Sequence, residues 1–326
     1  MGAQAHGFLF GFAFGPGGLR ELRSLDEAVA APAPDERFRW VHLDWRAAEA
    51  QKWLLERSSI EPHAARAALT PRSRSRTSAF GDTLLLVIRT VNLNEGAARE
   101  DLVSLRILVR PHLLVTLRRA RVRAAEATAQ DLRAGHAWTE PAELLAHLLA
   151  QVNETLHELL EEISERLDDF EDRVADPKQS PDRTEVAGLR RELIALRKSL
   201  VPQREALQRL YQEPHPALGE RQRPLLREPA HRAARVVEEL ESSRERAAVL
   251  MEEISVQVTE GLNRRIYLFT VIAGIFMPLT FLASLLGMNV AGIPFDDHPR
   301  AFLVVCCALT GVGLTTWLLL RRHRWL

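Results

Sequence analysis

Two long apolar runs near the C-terminal end constrain the fold of this sequence more than any other feature. Residues 266–286 and residues 301–320 contain no Asp, Glu, His, Lys or Arg. At 1.5 Å per helical residue each run reaches about 30 Å, the thickness of the hydrocarbon core of a bilayer. A buried helix of a soluble protein would carry a charged stripe, and neither run has one. The two runs therefore predict two transmembrane helices.

Most arginines near these runs lie outside the segment that connects them. They precede the first run and follow the second: Arg264, Arg265, Arg321, Arg322 and Arg324. The segment between the runs carries Asp296 and Asp297 against Arg300. By the positive-inside rule, this asymmetry predicts a multi-pass protein of the inner (plasma) membrane with both termini in the cytoplasm. The segment between the runs then faces outward.

The composition favours neither a nucleic-acid-binding protein nor an enzyme. The chain has 43 basic and 43 acidic residues, and its basic stretch TPRSRSRTS has no interleaved aromatic residue. We therefore expect no nucleic-acid partner. The sequence has no nucleotide-binding loop, nucleophile elbow or paired metal-ligand motif, so we expect no enzymatic activity and no tightly bound cofactor. Cys306 and Cys307 are adjacent within an apolar run, a poor arrangement for a disulfide.

Residues 1–140 predict a cytosolic α/β domain. The segments RWVHLDW and TLLLVIRTVNL read as strands, and LVSLRILV and LLVTLRR read as a hairpin around Pro111. The segment WRAAEAQKWLLERSS predicts a helix between strands. The strand order does not follow from these patterns.

Residues 141–262 predict a helical hairpin and a long stalk helix. The hairpin begins at Pro141, a residue favoured in the first turn, and PKQSPD separates its two helices. No proline occurs between Ala230 and Met277, so the last helix passes directly into the first apolar run. A helix over residues 230–286 would be about 85 Å long. Its predicted apolar stripe consists of Val237, Leu240, Ala247, Met251, Ile254 and Val258. Residues 263–326 form the predicted membrane domain.

One face of the first apolar run is narrower and more polar than the rest. Its members recur at three or four residues: Asn263, Ile266, Thr270, Ala273, Met277, Thr280 and Ser284. Two helices cannot enclose a pathway alone, but several copies around an axis would place this face inward as a pore lining. The alternative is a packing face between membrane helices, which also uses small residues.

Several motifs resemble the CorA family of divalent-cation transporters. They are GMN at residues 287–289, FMPLTF within the first span, and LNRRIYLFTVIAGIF at its start. The segments WVHLDW and LLLVIRTVNLNEGAAREDLVSLRILV, and the loop GMNVAGIPF, are similar to its zinc-transporting, ZntB-like branch. The resemblance extends over nearly the whole chain and is loosest in the first fifty residues.

The resemblance implies a homopentamer with a funnel-shaped cytosolic part, a long helical stalk and two transmembrane helices per subunit. The partners implied are other copies of the chain, the lipid bilayer and divalent metal ions. Gly287, Met288 and Asn289 would form a selectivity ring at the outer mouth. The family's pore positions fall on Asn263, Ile266, Phe269, Met277, Thr280 and Asn289. Either Phe269 or Thr270 would face the pore at one and the same height along its axis. Glu228 resembles a regulatory metal-binding carboxylate of the magnesium branch.

The chemistry of the ring is consistent with transport of a hydrated ion. Small divalent ions hold their water tightly, so a cage of carboxylates would bind them rather than conduct them. Amide oxygens of Asn289 can accept hydrogen bonds from the hydration shell. Gly287 permits the backbone to turn off the helix, and Met288 is expected to pack rather than to ligate. Asp296 and Asp297 would concentrate cations at the mouth.

Proton coupling, which the resemblance to the zinc branch implies, needs a group that titrates near neutral pH. Neither apolar run supplies one, since Tyr267 ordinarily titrates near pH 10. On the outer side the candidates are Asp296, Asp297 and His298, of which only the histidine has an ordinary pKa in the working range.

Three functions remain open from the sequence. The first is zinc transport through a pentameric pore, with coupling to protons. The second is a magnesium or cobalt channel of the same family. The third, from another class, is a two-span coiled-coil membrane sensor or scaffold, which would be dimeric.

Overall fold

The computed structural model describes residues 7–16, 18–31, 35–71, 74–98, 101–176, 181–288 and 300–322. The chain forms two compact units, Met1–Met251 and Glu252–Leu326. The first contains a sheet and most of the helices, and the second contains the two candidate membrane spans.

The first unit is built on a mixed sheet of seven strands in the order β2-β1-β3-β7-β6-β5-β4. The strands are β1 (Phe8–Gly15), β2 (Gly18–Leu22), β3 (Phe38–Asp44), β4 (Arg76–Phe80), β5 (Thr83–Thr90), β6 (Val103–Arg110) and β7 (Leu113–Arg118). β6 and β7 pair antiparallel as the predicted hairpin. β3 and β7 pair in parallel, and every other neighbouring pair in the sheet is antiparallel.

Eight α-helices accompany the strands in the described parts of the chain. They are α1 (Leu25–Val29), α2 (Ala48–Glu56), α3 (Pro62–Leu69), α4 (Arg123–Arg133), α5 (Pro141–Ala175), α6 (Arg183–Gln212), α7 (Arg227–Leu286) and α8 (Ala301–Arg322). α5 begins at Pro141, as predicted, and α2 is the predicted helix between strands. α3 is an additional helix that the sequence patterns did not indicate.

Helices cover both faces of the sheet, because successive strand residues point to opposite sides. Leu85 and Val87 of β5 belong to a buried cluster with alanines of α3. On the other face, the Thr90 hydroxyl lies 3.3 Å from that of Thr155 in α5, and the Arg89 backbone N–H donates to Gln203 of α6 at 2.6 Å. The α/β architecture predicted for this region is confirmed.

α5 and α6 form an antiparallel hairpin within this unit. Arg166 pairs with Glu192 at 2.9 Å, and Arg173 pairs with Glu185 at 3.0 Å, so partner numbers fall as helix numbers rise. α7 packs beside α5, where Arg246 donates to Ser164 at 3.1 Å and to Glu171 at 2.8 Å.

The buried stripe of α7 is shorter than the sequence predicted. Val237, Leu240, Ala247 and Ile254 are buried, but Val258 is 56% exposed. Val258 lies five full turns after Leu240 and points to the same side of the helix, so rotation around the helix does not explain its exposure. It lies beyond Met251, where the first unit ends. The predicted stripe therefore ends at Ile254.

The second unit contains the end of α7 and all of α8. Both helices include an 18-residue stretch with mean hydropathy 2.1, and at most 6% of either stretch is buried within the chain. The two predicted spans are thus present as helices long and apolar enough to cross a membrane. α7 remains a single helix of 60 residues through Pro278.

Candidate functional site

The first membrane helix carries one continuous exposed face. Within the second unit, positions of α7 spaced alternately four and three residues apart all remain exposed, and this spacing keeps them on one side of the helix. Three positions, Glu252, Val256 and Thr259, extend the predicted face toward the N-terminus. The sequence reasoning missed them although the same spacing continues. The whole face consists of Glu252, Val256, Thr259, Asn263, Ile266, Thr270, Ala273, Met277, Thr280, Ser284 and Gly287.

The second membrane helix lies against the other side of α7. Gly313 of α8 comes so close that an added Cβ would lie 3.5 Å from Leu279. Val271 is 8% exposed, and Ile275 and Pro278 are half-buried. These residues lie roughly 160° around the helix from the exposed face. The chain's own second span therefore leaves most of that face uncovered, although Thr280 and Ser284 also line a groove with Leu309 and Thr310 of α8.

The threonines on the exposed face present oxygen lone pairs rather than hydroxyl hydrogens. The hydroxyls of Thr259, Thr270 and Thr280 each donate to the carbonyl oxygen four residues earlier, at 2.8, 2.9 and 2.8 Å. A hydroxyl has one hydrogen to donate, so each oxygen is left as an acceptor. Acceptors without formal charge suit a hydrated cation, because they bind its water without holding the ion itself tightly.

The apolar members of the face alternate with these oxygens. Ile266 is 61% exposed and Met277 is 77% exposed. Phe269 is also 71% exposed, but it points roughly 60° away from the centre of the face, whereas Thr270 lies closer to it. A phenylalanine ring is large enough to reach across that angle, so both residues remain candidates for the same level.

α7 ends at Leu286, immediately before the Gly-Met-Asn motif. Gly287 donates its N–H to Ala283 O at 2.9 Å, and a Cβ on Gly287 would lie 3.2 Å from the same oxygen. Gly287 is not among the described glycines that have a positive φ. The helix therefore ends with Gly287 close to the Ala283 carbonyl oxygen and not in a left-handed conformation. Met288 is 49% exposed. Asn289, Asp296, Asp297 and His298 lie outside the described residues.

Glu228 lies in the first turn of α7 and already has cationic partners. Its Oε1 accepts hydrogen bonds from Arg232 at 3.0 Å and from Arg235 at 3.2 Å. These two guanidinium groups hold the pKa of the carboxyl below its ordinary value. Within the described residues, no group of three or more His, Cys, Asp or Glu side chains is arranged to hold a metal ion.

Comparisons with known proteins identify the family of this chain. The model of a family described as CorA-like Mg2+ transporter protein matches residues 35–322. The divalent cation transporter CmaX of Pseudomonas aeruginosa is 35% identical over 98% of this chain and 97% of its own. The zinc transport protein ZntB of Pectobacterium carotovorum is 33% identical over 96% of this chain and 94% of its own.

Solved structures show the same fold. Full-length CmaX has a TM-score of 0.84 at 35% identity, with 98% of each chain covered. The CorA magnesium transporter from Methanocaldococcus jannaschii has a TM-score of 0.81 over 98% of this chain and 99% of its own, at 17% identity. Together, the family match and the similarity over nearly the full length establish that this chain belongs to the CorA-like family, whose members are transporters and not enzymes.

Proposed function

We propose that this chain transports divalent metal cations, zinc in particular, as a homopentamer whose α7 helices surround the ion pathway. The observation that carries the proposal is the face of α7 from Glu252 to Gly287, whose positions all stay exposed and which borders α8 only in its C-terminal part, at Thr280 and Ser284. A helix face that alternates oxygen acceptors with apolar side chains needs partners, and copies of the same helix are the simplest ones.

The spacing of that face supports packing of parallel copies around one axis. Steps of four and three residues repeat every seven, which is the period that lets helices stay in contact along their length. Two spans per chain cannot enclose a pathway, so several chains are required. The number five is taken from the resemblance to the CorA family.

In this proposal the ion passes with most of its water. Thr270, Thr280 and Ser284 offer oxygen acceptors to the hydration shell, while Ile266 and Met277 form apolar constrictions that block ions by dewetting. Asn263 marks the inner end of the lining. Phe269 or Thr270 occupies the level between Ile266 and Ala273. The ring of Gly287, Met288 and Asn289 selects and concentrates hydrated ions at the outer mouth, where Asp296 and Asp297 add negative charge.

Zinc is proposed from the relatives rather than from the ligands on the face. ZntB of Pectobacterium carotovorum is named a zinc transport protein, whereas the family model is described by magnesium. Imidazole and thiolate are the usual protein ligands of zinc, and the described face offers neither. Selection therefore acts on the hydrated ion, and magnesium is the competing cargo to be tested.

The orientation proposed is an inner-membrane protein with both termini in the cytoplasm. Arg264 and Arg265 precede the first span, and Arg321 and Arg322 end α8. Arg321 also lies over the ring of Trp317, 5.4 Å from its centroid, an arrangement common at the membrane interface.

Glu228 is proposed as a regulatory metal site with one condition. Arg232 and Arg235 both contact Oε1 of this exposed carboxylate, so a metal ion at Glu228 would bind next to two like charges. The two arginines therefore weaken any metal affinity of Glu228.

The function is tested with purified protein in liposomes that contain a fluorescent zinc indicator. We expect zinc uptake that external magnesium inhibits only weakly, together with a mass corresponding to five chains in native mass spectrometry. Uptake inhibited equally by both metals would assign the magnesium function. A dimer without metal uptake would support the sensor or scaffold instead.

A further inference from the structure

The sheet-containing unit holds a cavity of about 590 Å3 that the transport function does not use. It lies at one end of the strands, where several segments of the chain meet. β3 and β7 run parallel and both begin there, and the β6–β7 turn and the end of α1 complete the rim. A volume of this size suits a small molecule.

Arginines are the most numerous charged groups around this cavity. Four arginines line it, against the two carboxylates of Glu36 and Asp82. One of the four, Arg57, is paired with Asp26 at 2.7 Å. Both carboxylates are already neutralised, Glu36 by Arg39 and Asp82 by Arg110. The hydrogen bond from Arg110 also holds the pKa of the Asp82 carboxyl below its ordinary value. The cavity therefore has no acidic group left to receive a cation, among the residues described.

One cationic group remains available to a ligand. The exposed side chain of Arg37 has no hydrogen bond or ion pair with any residue that the structure describes. His112 Nδ1 donates to the Arg37 carbonyl oxygen at 2.9 Å, which connects Arg37 to the start of β7. A guanidinium without a protein partner suits an oxyanion.

Ser58 and Ser59 also line the cavity, and the backbone there is held in a strained conformation. Ser59 has φ of 54° and is the one described non-glycine residue with a positive φ. Arg110 donates to the Ser59 carbonyl oxygen, and the Ser58 hydroxyl donates to Leu54 O at 2.6 Å. Such conformations persist where surrounding contacts fix them, and they occur often at binding sites.

The remaining wall is apolar. Val29 and Leu113 line the cavity with partly exposed side chains, whereas Phe38 is only 1% exposed and stacks on Phe14 with centroids 4.1 Å apart. An inorganic ion alone would leave this surface in contact with water. We propose that the cavity binds a small organic anion, whose carboxylate or phosphate contacts Arg37 and whose compact apolar body packs on Val29 and Leu113.

Isothermal titration of the full-length, detergent-solubilised chain tests this site. The probes are phenyl phosphate and benzoate, with orthophosphate lacking the apolar body and benzylamine lacking the negative charge. We expect saturable binding of one or both organic anions, and weaker or no binding of the other two compounds. The stronger of the two anions identifies the head group.

Arg37→Ala is expected to weaken binding of the organic anion about tenfold or more, because it removes a charge-assisted contact. Arg66→Ala is the matched control, since Arg66 is an exposed arginine on α3 that does not line the cavity. Arg57→Ala provides a second variant at the rim.

Three results would overturn the proposal. They are absence of saturable heat with both organic anions, unchanged affinity in Arg37→Ala and Arg57→Ala, and orthophosphate binding as tight as phenyl phosphate. The readout is binding and not flux, so it is independent of whether the chain transports zinc.

Discussion

At the scale of single residues, the threonines in the membrane span of α7 provide oxygen acceptors on a stretch of helix without charged side chains. Their hydroxyl hydrogens are bound to the backbone, so their oxygens act only as acceptors. The same hydrogen bond occurs in α8, where Thr315 donates to Gly311 O at 2.7 Å. The two helices therefore provide chemically matched threonines in different positions.

Thr280→Val is expected to lower zinc flux about fivefold, because it removes an acceptor worth about 1 kcal/mol at constant shape. Thr315→Val makes the same change on α8 and should leave flux unchanged. Both variants are measured in liposomes at equal protein density. Equal loss in the two variants would indicate a general effect on the membrane helices and would contradict the proposed pore face.

Asn289→Ala is expected to abolish zinc uptake, because it removes the amide groups that the copies of the chain would present at the outer mouth. The oligomer should stay intact, since the new side chain is smaller than the old one. Uptake and native mass are measured on the same preparation. Normal uptake by a correctly assembled variant would exclude the outer ring as the selective element.

His42 gives a prediction for the pH dependence of stability. Burial, and to a smaller extent the positive charge of Arg118, lowers its pKa to about 3, although the hydrogen bond with Thr116 and the charge of Asp44 oppose the shift. The unfolded chain binds a proton near pH 6.5 while the folded chain does not. His42 therefore costs no stability above pH 6.5 and destabilises the fold progressively as the pH falls from there toward 3.

The free energy of unfolding should accordingly decrease by at most about 1.4 kcal/mol per pH unit from this residue. Denaturant unfolding between pH 7 and pH 4 measures it. His42→Phe should flatten the slope relative to wild type, whereas His136→Gln, a change at an exposed histidine, should not. Parallel slopes in wild type and His42→Phe would show that another group titrates.

At the scale of elements, the membrane helices were the easiest part to predict from sequence. A run without charge over a bilayer's thickness has few other interpretations. The end of α7 at Leu286, just before Gly287, and the start of α5 at Pro141 were also predictable. Glycine is favoured just after a helix and proline in its first turn.

The first two strands were not predicted, because their glycines interrupt the apolar pattern. The structure gives the reason for those glycines. A Cβ on Gly11 would lie 3.2 Å from Trp40 O, and a Cβ on Gly15 would lie 2.8 Å from Asp35 O. Contacts of this kind join distant segments, so no local pattern reports them. The anion cavity was missed for the same reason.

The candidate pore face was largely predictable, since the spacing of polar residues along one helix is a local property. The structure added the location of α8 on the opposite side and the donor role of each threonine hydroxyl. The level shared by Phe269 and Thr270 was not predictable from spacing.

Substitution of the apolar constrictions in α7 tests that level. Met277→Ala and Phe269→Ala should each increase ion leak severalfold, because a wider apolar ring dewets less readily. Leak is measured as zinc entry down its own concentration gradient in the absence of a pH gradient, and Leu303→Ala on the exposed surface of α8 is the control. Unchanged leak in Phe269→Ala with increased leak in Thr270→Ala would assign the level to Thr270.

At the scale of the whole molecule, if zinc transport is coupled to protons, the titrating group must lie outside the two spans, because neither contains Asp, Glu, His, Lys or Arg. His298→Ala is expected to flatten the pH dependence of zinc uptake. Flux is compared with and without an inward proton gradient. A gradient effect that survives substitution of Asp296, Asp297 and His298 together would remove the outer segment as the coupling site.

The parallel pairing of β3 with β7 has a consequence for the order of folding. His42 and Thr116 lie 74 positions apart in the chain and yet contact each other at the centre of the sheet. β4 to β7 pair with sequence neighbours, so this meander can form by local hairpin closure on a fast timescale. β3 can join only after that meander presents the free edge of β7, and closing so long a loop is entropically slow. Docking of β3 is therefore expected to be the late step in which His42 becomes buried.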